Sequence, residues 1–151
     1  MKIITTTSPR KTFDFGVFIA HQLNKGDIIC LFGQLGSGKT VLIKGIASGL
    51  EIAKDIVSSP SFVLLKQYKG SMVLNHFDLF RLKKIEEILD LGFEEYVYSN
   101  DISVIEWAER LGDCLPQDFL GIKLTILGAN KRRLSLFANG AHYKSLLKNL
   151  K

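Results

Sequence analysis

Apolar and polar positions along the chain alternate with two different periods, and the changes of period mark its elements. Lys2 to Thr6 suits a short first strand. From Phe13 to Leu23 the apolar residues Phe15, Phe18, Ile19 and Leu23 fall close to helical spacing, with Ser8-Pro9-Arg10-Lys11 as an entrance and Asn24-Lys25-Gly26-Asp27 as a close. Ile28 to Phe32 is an unbroken apolar run of strand length, and Lys39 to Leu50 reads as a helix. Ser58-Ser59-Pro60-Ser61 predicts a loop, because a proline disfavours helix for itself and for the residue before it. Phe62 to Tyr68 and Met72 to Phe77 read as two strands joined by Lys69-Gly70-Ser71, an antiparallel hairpin. Arg81 to Leu91 predicts a helix with an acidic face at Glu86, Glu87 and Asp90, and Ile102 to Ile105 a buried strand. Leu120 to Leu127 and Arg133 to Phe137 follow as strands around a turn at Gly128-Ala129-Asn130, and Ala141 to Asn149 is a last helix. The sum is an α/β fold, a sheet of mixed parallel and antiparallel strands flanked by helices, without internal repeats or low-complexity linkers.

The chain's 151 residues suit one domain spanning 1–151, large enough for a sizeable core. An apolar share of 46% and a charged share of 23% belong to the globular class. No apolar run approaches the roughly 20 residues of a membrane span, and Met1 to Lys11 lacks the apolar centre of a signal peptide. The expectation is a cytoplasmic protein without a membrane partner. Cys30 and Cys114 have no metal-ligand spacing and read as reduced, structural thiols.

Between the Ile28 to Phe32 run and the Lys39 helix stands Gly33-Gln34-Leu35-Gly36-Ser37-Gly38-Lys39-Thr40, which fits G-x-x-x-x-G-K-[ST] at every fixed position. The pattern is a P-loop, and it predicts a P-loop NTPase-like domain that takes a nucleoside triphosphate with Mg²⁺. A glycine-rich turn lets successive backbone N–H groups point at phosphate oxygens, and the following helix adds the positive end of its dipole. The residues from Gln34 to Val41 are therefore the candidate nucleotide cradle. Lys39 can reach the β- and γ-phosphates, and Thr40 offers a hydroxyl to Mg²⁺, a hard ion that prefers oxygen. A dinucleotide fingerprint fails, because Gly36-Ser37-Gly38 is followed by Lys39, Thr40 and Val41, where G-x-G-x-x-G needs a final glycine.

Two carboxylates stand at strand ends, where an α/β sheet places its chemistry. Asp78 follows the Met72 to Phe77 run and reads either as the Mg²⁺ carboxylate opposite Thr40 or as the N-cap of the next helix. Glu106 follows Ile102 to Ile105. It reads as the group that positions or deprotonates an attacking water and adds to the metal's surroundings, or as a cap of the Trp107 to Leu111 turn, or as a partner of Arg110. His76 alternates with Asp78 along its strand and reads as a packed or hydrogen-bonded ring before it reads as a base.

With these residues in view the chain resembles the TsaE (YjeE) family, the P-loop ATPases of bacterial threonylcarbamoyladenosine synthesis on tRNA. Members typically read G-D-L-G-A-G-K-T-T, S-P-T-F, H-F-D-L-Y-R-L and E-W-A/P-E-R. Here stand the loop from Gly33 to Val41, Ser59-Pro60-Ser61-Phe62, His76-Phe77-Asp78-Leu79-Phe80-Arg81-Leu82 and Glu106-Trp107-Ala108-Glu109-Arg110. The resemblance implies an ATPase that works with the TsaD and TsaB proteins, which transfer a threonylcarbamoyl group to adenosine 37 of tRNA. ATP hydrolysis would support repeated rounds, and tRNA would be met through the complex; no DNA partner is expected. By position the resemblance makes Lys39 and Thr40 the phosphate and Mg²⁺ residues, Asp78 the Walker B carboxylate and Glu106 the carboxylate needed for hydrolysis. Ser61 falls where the family has a switch-like threonine, keeping the hydroxyl that can contact Mg²⁺ or the γ-phosphate and losing the methyl that restricts its rotamer. Gln34 stands for the common aspartate and Val41 for the second threonine. Trp107 also matches, with a packing and a functional reading of equal standing.

Two other classes share the P-loop. A small-molecule kinase would pass phosphate to an acceptor, but no Arg-rich lid insertion stands between the strands; a nucleotide-gated binding module would hold ATP with little turnover. Charge adds one further expectation. Residues 119–151 hold seven Lys or Arg and no Asp or Glu, while the remainder carries 13 Lys or Arg against 15 Asp or Glu. This basic segment, with Lys131, Arg132 and Arg133 far in sequence from every nucleotide motif, is expected to serve docking or tRNA attraction and not hydrolysis, or to face solvent.

Overall fold

The computed structural model describes residues 1–58 and 64–150. Seven strands form one sheet in the order β1-β7-β6-β2-β5-β4-β3. They are β1 (Lys2–Thr6), β2 (Ile28–Phe32), β3 (Leu65–Lys69), β4 (Val73–Asp78), β5 (Ile102–Glu106), β6 (Phe119–Ile126) and β7 (Arg132–Asn139). β2 runs parallel to both β5 and β6, and β4 runs parallel to β5, so four neighbouring strands end on the same side of the molecule. β3, β7 and β1 complete the sheet through antiparallel pairs. The expected mixed α/β sheet is what forms.

Burial explains why the central strands lack alternation. Every residue of β5 and four of the five in β2 are buried, because helices cover both faces of the sheet there. On one face α1 (Pro9–Ala20), α2 (Lys39–Gly49) and α5 (Ala141–Asn149) pack with Leu31, Val104, Ile122 and Leu136. On the other, α3 (Ile85–Asp90), α4 (Phe93–Val97) and a 3-10 segment over Ala108–Cys114 pack with Cys30, Phe77 and Ile105. Helix α1 begins as its sequence suggests: Pro9 takes the first turn, and the Ser8 hydroxyl accepts from the Lys11 N–H at 3.1 Å. It crosses α2 so closely that a Cβ on Gly45 would strike the Phe13 carbonyl, and one on Gly16 would strike that of Leu42. This contact seats α2, and with it the loop that precedes α2.

Most boundaries moved by one or two residues; one element changed character. Over Arg81 to Leu91, expected as one helix, the chain makes a turn and then the short helix α3, and α4 follows beyond Gly92. Asp78 Oδ1 accepts from the Phe80 N–H at 3.0 Å, and the Leu82 N–H bonds Leu79 O at 3.1 Å, which holds the chain in turns after β4. Helix α3 then starts at Ile85, where Glu87 Oε1 accepts the Lys84 N–H at 3.1 Å, and it stops before Gly92. The first strand of the expected β3–β4 hairpin begins at Leu65, and its earlier part, like Ser61 and the Ser59 to Phe62 motif, lies outside the described residues.

Candidate active site

The loop between β2 and α2 turns on three glycines with positive φ: Gly33 at 142°, Gly36 at 77° and Gly38 at 100°. A side chain is strained at all three, and a Cβ on Gly33 would also meet the Leu124 carbonyl. Gly38 hands the chain to α2 without a side-chain cap, so the first N–H groups of the helix stay open toward the loop. Lys39, 5% exposed, folds back over this loop. Its Nζ donates to Gly33 O at 2.6 Å, to Gln34 O at 3.0 Å and to Ser37 Oγ at 3.3 Å. Burial holds the Lys39 ammonium below its ordinary pKa, while the carboxylates of Glu106, Glu109 and Asp78 pull the other way. The loop is thus a cationic group held mainly by carbonyl oxygens, a set that an anion can replace.

Two strand ends bring the carboxylates to the same place. Asp78 and Glu106 are the last residues of β4 and β5 and stand in register opposite each other, both nearly buried. Asp78 is engaged locally through the Phe80 N–H, a turn cap and not a helix cap. Glu106 neither caps the following segment nor pairs with Arg110; its Oε2 lies 2.7 Å from His76 Nε2, and both side chains are buried. Arg110 Nη1 instead donates to Leu82 O at 3.4 Å.

Between loop and strand ends lies a cavity of about 490 Å³. Leu35, Gly36, Ser37, Gly38, Lys39, Thr40 and Val41 line it from the loop side, Asp78 and Glu106 from the sheet. Gln34 is absent from the lining and meets the site through its carbonyl. Trp107 forms part of the wall in a left-handed conformation (φ 57°), its ring 4.4 Å from Lys39 Nζ and 5.0 Å from Phe80, with the Arg110 guanidinium 5.9 Å away. The adjacency of Glu106 and Trp107 could have marked this wall in sequence. Phe80 and Arg81 also line it and had no separate signal.

Arg132 corrects an expectation. Its distance in sequence from the nucleotide motifs suggested a role elsewhere, yet its Nε donates to Ser37 O at 3.0 Å and its Nη2 to Gly36 O at 3.3 Å. Nη1 donates to Gly128, Ala129 and Lys131 carbonyls, tying the β6–β7 turn to the loop. The reason is topological: β6 lies beside β2, and β7 turns back on β6, so its first residue arrives at the loop.

Among the described residues no group of three His, Cys, Asp or Glu side chains could hold a metal alone. The oxygen donors at the cavity are the hydroxyls of Thr40 and Ser37, the latter accepting from Lys39, and the carboxylates of Asp78 and Glu106. Such a sparse set of hard oxygens fits Mg²⁺, which keeps waters and takes substrate phosphates as ligands. Cys30 is buried and unpaired, its thiol pushed up by burial, and Cys114 is a free thiol as well. No helix among the described residues is long and apolar enough to cross a membrane.

Comparison with known proteins fits this arrangement. The family model described as threonylcarbamoyl adenosine biosynthesis protein TsaE matches residues 6–134. Over 129 residues the chain is 37% identical to the tRNA threonylcarbamoyladenosine biosynthesis protein TsaE of Treponema pallidum, covering 85% of this chain and 95% of that one. Over 146 residues it is 36% identical to the protein of the same description from Bacillus subtilis, covering 96% and 90%. Its fold is similar to the crystal structure of Bacillus subtilis YdiB, with a TM-score of 0.85 and 31% identity over 99% of this chain and 93% of that one.

Proposed function

The chain belongs to the TsaE family, and on that premise we propose that it is the ATP-binding and ATP-hydrolysing component of tRNA N6-threonylcarbamoyladenosine synthesis, supporting turnover by a TsaD–TsaB complex in the cytoplasm. The observation that carries the hydrolytic part is the convergence of Lys39, Thr40, Asp78 and Glu106 on one cavity at the open N-terminus of α2. Backbone N–H groups of the loop receive the phosphates, whose charge is compensated by the helix end and by Lys39. Lys39 exchanges the Gly33 and Gln34 carbonyls for phosphate oxygens, and because its charge is already desolvated it gains more from an anion than a solvated ammonium would. Thr40 and Asp78 would hold Mg²⁺, with Glu106 as a further oxygen donor. Held there, Mg²⁺ would supply positive charge against the negative charge that develops on the phosphates. Glu106, fixed at the end of β5, orients the attacking water, and Trp107 and Phe80 shield that side of the cavity from solvent.

The reading is tested with labelled ATP, alone and with the TsaD and TsaB proteins. It expects phosphate released to water, slowly alone and faster with the partners; phosphate on an acceptor would make the protein a kinase, and binding without turnover a gated binding module. Glu106→Ala is expected to retain ATP while slowing its cleavage about a hundredfold, the low end of what a positioned acid or base contributes. Asp78→Ala is expected to weaken only the Mg²⁺-dependent part of binding. Normal hydrolysis by Glu106→Ala in the assembled complex would overturn its assignment.

A further inference from the structure

One buried titratable group beside the site has no part in the chemistry above. His76 is fully buried on β4, two residues before Asp78 and on the same face of the sheet. Its Nε2 lies 2.7 Å from Glu106 Oε2, and its Nδ1 has no hydrogen-bond partner among the described residues. These two facts select a tautomer. With the proton on Nε2, the ring donates to the carboxylate and leaves only a buried lone pair without a partner. With the proton on Nδ1, a buried N–H would lack an acceptor and a nitrogen lone pair would face a carboxylate oxygen. The ring is also held in place: Tyr68 of β3 packs with its centroid 6.3 Å away, and strand pairing sets His76 opposite Lys66 on one side and Val104 on the other.

We propose that His76, as its Nε2–H tautomer, is the positioning residue that sets the orientation of the Glu106 carboxylate at the cavity wall. A glutamate side chain has three rotatable bonds, and Glu106, although buried, borders the cavity, where its carboxylate has room to turn. Bonding one of its oxygens to a ring anchored in the next strand reduces the carboxylate to one placement. The bond joins adjacent parallel strands, β4 and β5, so the placement is inherited from the sheet and not from a loop. Arg81 and Arg132 line the same cavity, and Asp78, on the same strand as His76, and Lys39, across the cavity, are charged groups beside Glu106. Neither fixes the carboxylate as His76 does: Asp78 repels it, and the Lys39 ammonium is committed to Gly33, Gln34 and Ser37. The inference rests on the reading of Glu106 as the group that orients water.

Three variants and one spectrum test it. His76→Leu removes the donor and keeps an apolar volume, His76→Gln replaces the ring N–H with an amide N–H of similar reach, and Glu106→Gln is the reference for loss of the carboxylate. In the complex with the TsaD and TsaB proteins, His76→Leu is expected to lower kcat at least about tenfold, as loss of a supporting hydrogen-bond partner commonly does, with ATP affinity unchanged. His76→Gln is expected to recover most of that loss. Nitrogen-15 spectra of labelled histidine in the nucleotide-free protein should show one ring, absent from His76→Gln, with its proton on Nε2; this arm stands even if His76→Leu does not fold. A proton on Nδ1, parental kcat in His76→Leu beside a slow Glu106→Gln, or equal losses in the Leu and Gln variants would each overturn the proposal. Parental kcat in Glu106→Gln would instead overturn the reading of Glu106, and the spectrum would still decide the tautomer.

Discussion

Two carboxylate–histidine pairs with the same 2.7 Å contact sit at opposite ends of the β2 region. At the end where parallel strands finish, Glu106 and His76 are both buried, and Glu106 borders an open cavity. At the start of β2, Asp27 is buried but its partner His142 is half exposed. There Asp27 Oδ2 also accepts the Asn24 N–H at 2.8 Å, and the neighbouring Tyr143 hydroxyl accepts the Ile28 N–H at 2.7 Å. Burial pushes that hydroxyl up to about 12, so it remains a neutral phenol at any physiological pH. The pair at Asp27 closes a junction between the α1–β2 connection and α5: each carboxylate oxygen has a protein donor. The pair at Glu106 holds a charge at the wall of a space large enough for a ligand. Identical bonds therefore do different things, and what separates them is whether the carboxylate ends in packed protein or at a cavity.

Substitutions on either side can break this contrast. The largest effect is expected from Lys39→Ala, which removes the cation opposite Glu106. Losing one member of a desolvated charge pair costs about 2 kcal/mol or more, so ATP affinity should fall at least about thirtyfold in a direct titration, and unchanged affinity would remove the P-loop assignment. Next is Asp27→Ala, which leaves the Asn24 N–H and His142 without their acceptor. It should lower unfolding free energy by about 1–3 kcal/mol in denaturant titration while leaving ATP hydrolysis unchanged. His142→Ala, at the exposed end of the same pair, should cost under about 1 kcal/mol. A hydrolysis defect in Asp27→Ala would mean that the two ends of the sheet are coupled.

A separate contrast concerns two adjacent arginines. Arg132→Gln loses the guanidinium that bonds the Gly36 and Ser37 carbonyls and should weaken ATP binding by about tenfold, equivalent to about 1.4 kcal/mol. Arg133, paired with Thr5 and Thr125 across its neighbours in the sheet, has no such contact and should leave ATP binding unchanged. If partner or tRNA binding weakens with salt in Arg133→Gln alone, docking belongs to Arg133. Equal loss of ATP affinity in both would show that net charge, not the contact, matters.

What the sequence disclosed follows from the range of each interaction. The bounds of β1, β2 and α5 are read directly, because an apolar run or helical spacing flanked by turn residues is local information. The glycine loop is legible for the same reason, since its pattern sets fixed types at fixed short spacings. Helix α3 was misread because its apolar spacing continues back to Arg81, while turns after Asp78 occupy those residues. The bond between His76 and Glu106 spans 30 positions and depends on β4 lying beside β5. Arg132 reaches Ser37 across 95 positions through the order of β6 and β7. Neither pairing leaves a trace in spacing. Ser61, which the family resemblance singled out, falls outside the described residues.

The Arg132 contact also orders events in time. A chain is synthesised from its first residue, and β2 with its glycine loop emerges long before either strand that flanks it. β5 must arrive to supply Glu106, and β6 must then insert on the other side of β2 before β7 can turn back. Only when residue 132 has left the ribosome does the guanidinium meet the carbonyls of residues 36 and 37. A nascent chain that already spells every motif of the glycine loop therefore still lacks the brace of that loop, which arrives only as the last hairpin folds into place.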